Sequence, residues 1–320
     1  MNFAQIKGQD FAINNLKNFI KTGKVPPAMI FYGPAGIGKA KVAMAFAQAL
    51  NCQNLGSDFE PCQICQSCKQ IEMHTHPDII FADYAYQAAL LKEEVDDQQN
   101  IKIETVRSLT TASQQKAVAA NWKVFIIDKA ERLVPAAANA LLKFIEEPPQ
   151  NTVWILISSK RETMLSTIKS RCQSISFAPL STQIITEILQ DNFVEESIAK
   201  KAAEFAEGST ENAFLIASLL EDFAPLSRDA SFATQVALNL PRTLAQARPK
   251  VNIILDMLSQ KIHQNWLQAD DEKTKNKLAK LVQDFVFYKK ALKQNVAPQM
   301  LAETALVKAE NSQINIQEIL

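Results

Sequence analysis

The chain has 320 residues with 34 basic and 34 acidic side chains, so its formal charge is zero; 47% of its residues are hydrophobic and 21% charged. This is the balance of a folded globular protein, and it excludes a disordered chain or a global polycation that coats nucleic acid. At ~150 residues per domain the length predicts two or three domains. No apolar run approaches the ~18 residues of a membrane helix, and residues 1–24 lack a basic stretch followed by an apolar one. The expected setting is cytoplasmic, with no membrane contact.

In chain order, residues 28–32 form a short apolar run ending at Gly33 and read as a buried strand. After Lys39, the residues Val42, Ala43, Phe46, Ala47 and Leu50 recur at helical spacing. Further strands are predicted at 78–81, 124–127, 153–157 and 174–177, with helices at 103–116 and 136–145. This alternation predicts an α/β layer with a mostly parallel sheet. The acidic stretch 93–99 reads as a polar loop insertion. Residues 181–220 read as short amphipathic helices broken at Gly208. From 225 to 320 the pattern is helical and free of glycine, punctuated by Pro241, Pro249 and Pro298. Its 13 basic against 9 acidic residues fit a solvated helical surface rather than a DNA-binding one.

Three of the seven glycines lie between 33 and 38. Gly33-Pro34-Ala35-Gly36-Ile37-Gly38-Lys39-Ala40 fits the first seven positions of the phosphate loop G-x-x-x-x-G-K-S/T, between a predicted strand and a predicted helix. Gly33, Gly36 and Gly38 let backbone N–H groups close around phosphate oxygens, and Lys39 adds a charge for the β/γ-phosphates. At the eighth position Ala40 carries no hydroxyl, so Mg²⁺ loses a protein ligand and binding of ATP is left open. Asp128, after the predicted strand 124–127, either supports the metal's hydration shell or caps the following helix. Lys129 stands where a catalytic Glu is usual; it cannot act as a base and is expected to compete for the same space. Glu131 lies two residues further on.

Four of the five cysteines lie between 52 and 68, spaced C-x9-C-x2-C-x2-C. Cys52, Cys62, Cys65 and Cys68 suit a closed, structural Zn²⁺ site better than a disulfide in a reducing compartment or a redox pair. His74 and His76 stand nearby, either as substitute ligands or as caps of the loop before Asp78. Cys172 reads as a small packing residue, and His263 is alone on a helix.

Residues Asn139-Ala140-Leu141-Leu142-Lys143-Phe144-Ile145-Glu146-Glu147-Pro148-Pro149 resemble the N-A-L-L-K-x-x-E-E-P-P signature of the clamp-loader AAA+ family, and Ser170-Arg171-Cys172 resembles its S-R-C motif. The cysteine cluster sits where bacterial members carry a zinc module. The resemblance, over residues ~28 to ~177, implies an AAA+ P-loop domain (1–178, zinc module 52–68), a helical lid (179–222) and an all-α collar (223–320). It also implies that Arg171 enters a neighbour's ATP site as an arginine finger, with the bland alternative of a surface arginine paired to a carboxylate. A lid arginine that senses nucleotide is expected after Gly208, where Glu211 and Asn212 stand instead. With Ala40 and Lys129, this points to a non-hydrolysing subunit of the bacterial DNA polymerase III clamp loader. Its implied partners are gamma/tau and delta subunits and, through the complex, the sliding clamp and primed DNA. The alternatives are a gamma/tau-like ATPase using Lys39 and Asp128, and a zinc-dependent nucleic-acid-binding module, although the cysteine segment lacks interleaved basic and aromatic residues.

Overall fold

Parallel strands covered on both faces need unbroken apolar runs, and the five runs read from the sequence form one five-stranded parallel sheet. The computed structural model describes residues 2–227, 229, 231–294 and 296–320. The chain divides into two units, Met1–Leu180 and Ser181–Leu320. The first unit contains, in order, α1 (Asp10–Thr22), β1 (Ala28–Tyr32), α2 (Lys39–Asn51), α3 (Gln66–Glu72), β2 (Ile79–Ala82), α4 (Tyr84–Leu91) and α5 (Ile103–Gln114). It continues with β3 (Lys123–Ile127), α6 (Pro135–Glu146), β4 (Thr152–Ser158), α7 (Ser166–Lys169) and β5 (Gln173–Ser176).

The strand order is β2-β3-β4-β1-β5, so β4 separates β1 from β3. Alternate residues of each strand enter different cores, because side chains point to opposite faces of a sheet. Met29, Phe31, Ile126, Ile155 and Ile157 pack with Leu16 of α1 and Phe46 of α2. Ile30, Phe125, Ile127, Trp154 and Leu156 pack with Leu109 of α5 and Leu141 of α6. The Trp154 indole stacks on the Phe125 ring at 4.6 Å between centroids.

The observed strands agree with the predicted ones to within a residue or two. β2 starts after Asp78, whose buried carboxylate accepts the backbone N–H groups of Val118, Ala119 and Ala120. Helices α1, α3 and α4 lie where no element was predicted. The α4 sequence Tyr-Ala-Tyr-Gln-Ala-Ala-Leu-Leu is apolar almost all round and so shows little helical period. The acidic stretch also differs from a free polar loop. Val95–Asp97 form a 3-10 turn, and the buried Gln98 amide donates to Glu93 and Glu94 while accepting from the fully buried Gln87.

Among its described residues the regular elements of the second unit are all helices: α8 (Thr182–Asp191), α9 (Glu196–Phe205), α10 (Thr210–Phe223), α11 (Phe232–Asn239), α12 (Leu244–Gln268), α13 (Glu272–Leu292), α14 (Pro298–Asn311) and α15 (Ile316–Ile319). Gly208 separates α9 from α10 in a left-handed conformation (φ 81°). Pro298 occupies the first turn of α14, while Pro249 lies inside α12 rather than ending it. So early in the helix, its missing N–H removes one internal hydrogen bond near the start. No helix among the described residues is long and apolar enough to cross a membrane.

Burial acts to raise the Asp78 carboxyl, but the N–H groups of Ala119, Val118 and Ala120 outweigh it and hold the carboxyl below its ordinary value. A depressed folded value gives stability that is present above the unfolded value of about 3.9 and is lost as pH falls through the folded one. Asp78→Ala should therefore cost about 1–3 kcal/mol in urea unfolding at pH 7, and the difference from the parent should narrow below about pH 4.

Candidate functional site

The phosphate-loop segment leaves the carboxyl end of β1 and opens α2. Gly33 (φ 149°) is required sterically: a Cβ there would lie 2.3 Å from the Phe177 carbonyl oxygen. Gly38, immediately before α2, has φ 94°, a conformation that side chains disfavour. The buried Lys39 turns its ammonium into the curl of the loop, donating to the carbonyl of Gly33 at 2.7 Å and to that of Pro34. Lys39 is thereby held at the positive end of α2, where phosphate oxygens are stabilised. Ala40 packs its methyl against the core shared by α1 and α2 and offers no oxygen.

Gln9, at the start of α1, carries no motif or period that marks it in the sequence. Its buried amide donates to the carbonyls of Ile37 and Ala178, at 3.2 and 2.9 Å, and so ties the loop to the chain after β5. A glutamine beside Gly8 has no period or spacing that marks it, and its importance arises only from burial.

Asp128 follows β3 at the same end of the sheet, with β4 between it and the loop strand. Its N–H donates to the Ala82 carbonyl at 3.0 Å. Burial lifts its carboxyl above the ordinary range, against the N–H and ammonium of Lys129. No side chain caps the 3-10 turn Ala130–Arg132 that follows. Lys129 takes a left-handed conformation (φ 50°) and sets its ammonium 4.7 Å over the Tyr84 ring. It thus leans toward α4. Glu131 accepts hydrogen bonds from the N–H and hydroxyl of Ser159, just beyond β4. Burial acts to raise its carboxyl, but these bonds outweigh it and hold the carboxyl below its ordinary value.

The cysteines lie at the other end of the first unit. Cys52 ends α2 and Cys65 caps the start of α3. The α2 end is fixed by Asn51, whose amide exchanges two hydrogen bonds with the backbone of Trp122, just before β3. The four sulfurs of Cys52, Cys62, Cys65 and Cys68 lie within 4.8 Å of one another. Tetrahedral Zn–S bonds of about 2.3 Å require sulfurs about 3.8 Å apart, so the donor set fits a four-thiolate metal. Burial acts to raise the Cys62 thiol, but the N–H groups of Cys65 and Ile64 and the neighbouring thiols bring it down to about 6. Burial first, then Cys65, pushes the Cys68 thiol up. Neither nearby histidine joins the sulfurs among the described residues. His76 is buried and accepts the Asp78 N–H at 3.2 Å through Nδ1, which is the loop-capping role. His74 meets the Phe81 ring edge-on.

Arg171 precedes β5. Met29 pairs with Gln173, which sets Arg171 near the level of Pro27, so Gly33 lies roughly 20 Å further along the sheet at ~3.3 Å per residue. The structure therefore brings Gly33, Gly36, Gly38, Lys39 and Asp128 to one end of the sheet and leaves Arg171 at the other, beyond the reach of one side chain. Its Nε donates to Glu146, and its Nη1 donates to the Thr167 carbonyl at 3.1 Å and the Ser170 hydroxyl at 3.3 Å. The arginine–carboxylate pair is thus present in this chain. Burial pushes the adjacent Cys172 thiol up to about 12, in keeping with a packing role.

A parallel sheet in which β4 separates the strand of a glycine loop from the strand of an acidic residue, with the loop opening a helix, defines a P-loop-like α/β protein. The family described as "DNA polymerase III, delta subunit" matches residues 8–181, more than half of the chain. The chain belongs to this family of DNA polymerase III clamp-loader subunits. It is 30% identical over 302 residues to DNA polymerase III subunit tau of Bacillus subtilis, covering 89% of this chain and 49% of that one. It is 29% identical over 266 residues to subunit delta' of the same organism, covering 81% and 70%. The chain thus spans about half the length of that tau subunit. A crystal structure of a DNA polymerase III gamma subunit-related protein from Thermotoga maritima superposes with a TM-score of 0.55 at 16% identity, covering 94% of this chain and 99% of that one. This last likeness is one of fold.

Purified under reducing conditions, the chain should carry one thiol-bound divalent metal per molecule by elemental analysis. The double change Cys62→Ser, Cys65→Ser should bring the metal content close to zero and lower the Tm.

Proposed function

We propose that this protein is the delta-prime type of clamp-loader subunit, a non-hydrolysing stator that supplies Arg171 to the ATP site of a neighbouring subunit. In this reading it assembles in the cytoplasm with gamma/tau and delta subunits and supports loading of the sliding clamp onto primed DNA. The four cysteines hold a structural Zn²⁺. The observation that carries the reading is the separation of Arg171 from the chain's own loop by the length of the sheet: a guanidinium so placed acts on another subunit's phosphates or on none. A planar guanidinium can hold two phosphate oxygens and offset the charge that develops on them. Such a role needs no nucleotide in the chain that provides it.

The local chemistry agrees. Ala40 offers Mg²⁺ no oxygen, Lys129 stacks on an aromatic ring, and Glu131 is engaged by Ser159. Gly33, Gly36, Gly38 and Lys39 remain in the loop, so binding of ATP without turnover is compatible with the stator. An active gamma/tau-like motor is the competing reading, since Lys39 and Asp128 are at the same end of the sheet.

The purified chain should show no steady Mg²⁺-ATP turnover. In a complex reconstituted with tau or gamma and delta subunits, Arg171→Ala should slow hydrolysis at the neighbouring site by ~10³-fold or more, visible as loss of that site's share of total turnover. Turnover by the isolated chain that Lys39→Ala abolishes would establish the motor instead, and unchanged turnover in the Arg171→Ala complex would remove the finger.

A further inference from the structure

We infer that Glu146 is a positioning residue for Arg171, holding the guanidinium at Nε so that the outward end of Nη2 is presented to a phosphate. The inference rests on the reading of Arg171 as an arginine finger given above. Arg171 has five N–H donors. The Nε hydrogen goes to Glu146 Oε1, and the Nη1 hydrogens go to the Thr167 carbonyl and the Ser170 hydroxyl. Nη2 has no partner among the described residues, and the side chain is 39% exposed. A carboxylate that only neutralised the arginine would be expected to take the two-nitrogen fork, the strongest geometry available to the pair. Glu146 instead takes a single nitrogen from the side.

The place of Glu146 in its helix makes the same point. It is the last residue of α6, at the negative end of the helix dipole, where a carboxylate is disfavoured unless a cation meets it. A pair this exposed adds little to the stability of a fold, so a contribution to folding is a weak reason for it. Both partners stand on fixed backbone. Leu141 and Ile145 of α6 are buried in the core cluster on which Leu142, Phe144 and Cys172, the residue after the arginine, also pack. Pro148 and Pro149 restrict the chain beyond the helix. One core cluster thus fixes the distance between the carboxylate and the guanidinium it holds.

The test is a double-mutant cycle on ATP turnover by the reconstituted complex, with assembly checked by gel filtration. Glu146→Ala should lower the Arg171-dependent turnover roughly three- to tenfold while the KM for ATP moves less than about twofold. Glu146→Gln, whose amide oxygen still accepts the Nε hydrogen, should recover most of the loss. On the Arg171→Ala background, Glu146→Ala should have no further effect, whereas a purely structural role would cost the same on both backgrounds. An equal loss on both, or unchanged or raised turnover with Arg171 present, overturns the positioning role and leaves the finger standing. If Arg171→Ala alone changes nothing, the finger reading fails and positioning fails with it. Should Glu146→Ala not assemble, Glu146→Asp, shorter by one methylene, runs through the same cycle with the same criteria.

Discussion

Because all five strands run in parallel, the two ends of the sheet are chemically different, and the chain uses each for a separate task. Strand carboxyl ends face the amino ends of the helices that follow, so partial positive charge and unpaired N–H groups collect there. The glycine loop and Asp128 lie at that end. Helices return to the opposite end carrying their carboxyl termini, and there the chain places the thiol cluster after α2 and the Glu146–Arg171 pair after α6. A positive side chain is favoured beside helix carboxyl ends, and Arg171 receives both a helix-terminal carboxylate and the Thr167 carbonyl of α7.

This polarity keeps the glycine loop and Arg171 at opposite ends of one sheet. Ala40 is half-buried against the core of α1 and α2, where a methyl packs without a hydroxyl. Glycine at 33 has no such freedom, since any side chain would collide with Phe177. The glycine that supports the sheet is retained, while the eighth position carries no oxygen. Fold and catalysis place different demands on the same eight residues.

Much of this was legible in the sequence. The strands announced themselves because a doubly covered sheet demands unbroken apolar runs, and the loop and cysteine spacings encode local geometry that survives in one dimension. What stayed hidden was of two kinds. Helix α4 gives weak periodicity because its residues are nearly all apolar, whereas α1 buries Ala12, Ile13 and Leu16 at ordinary helical spacing. The other kind is long-range polar pairing: Gln9 with Ile37 and Ala178, Gln87 with Gln98, Glu131 with Ser159. A polar side chain has no period, and its partner is chosen by the tertiary fold. Arg171 shows both sides of this limit, because its motif was visible while the carboxylate beside it was not assigned.

Glu60, within the cysteine segment, accepts the N–H groups of Phe3 and Ala4 and forms an ion pair with Lys17 of α1 at 2.6 Å. One carboxylate thus fastens segments that are 57 residues apart in sequence. The thiol cluster orders the chain around Glu60, and Glu60 in turn orders the approach to Gln9, which grips the glycine loop. The cysteine segment at one end of the sheet is thereby joined to the glycine loop at the other through residues distant in sequence, so that segment works as a clasp on the amino-terminal segment.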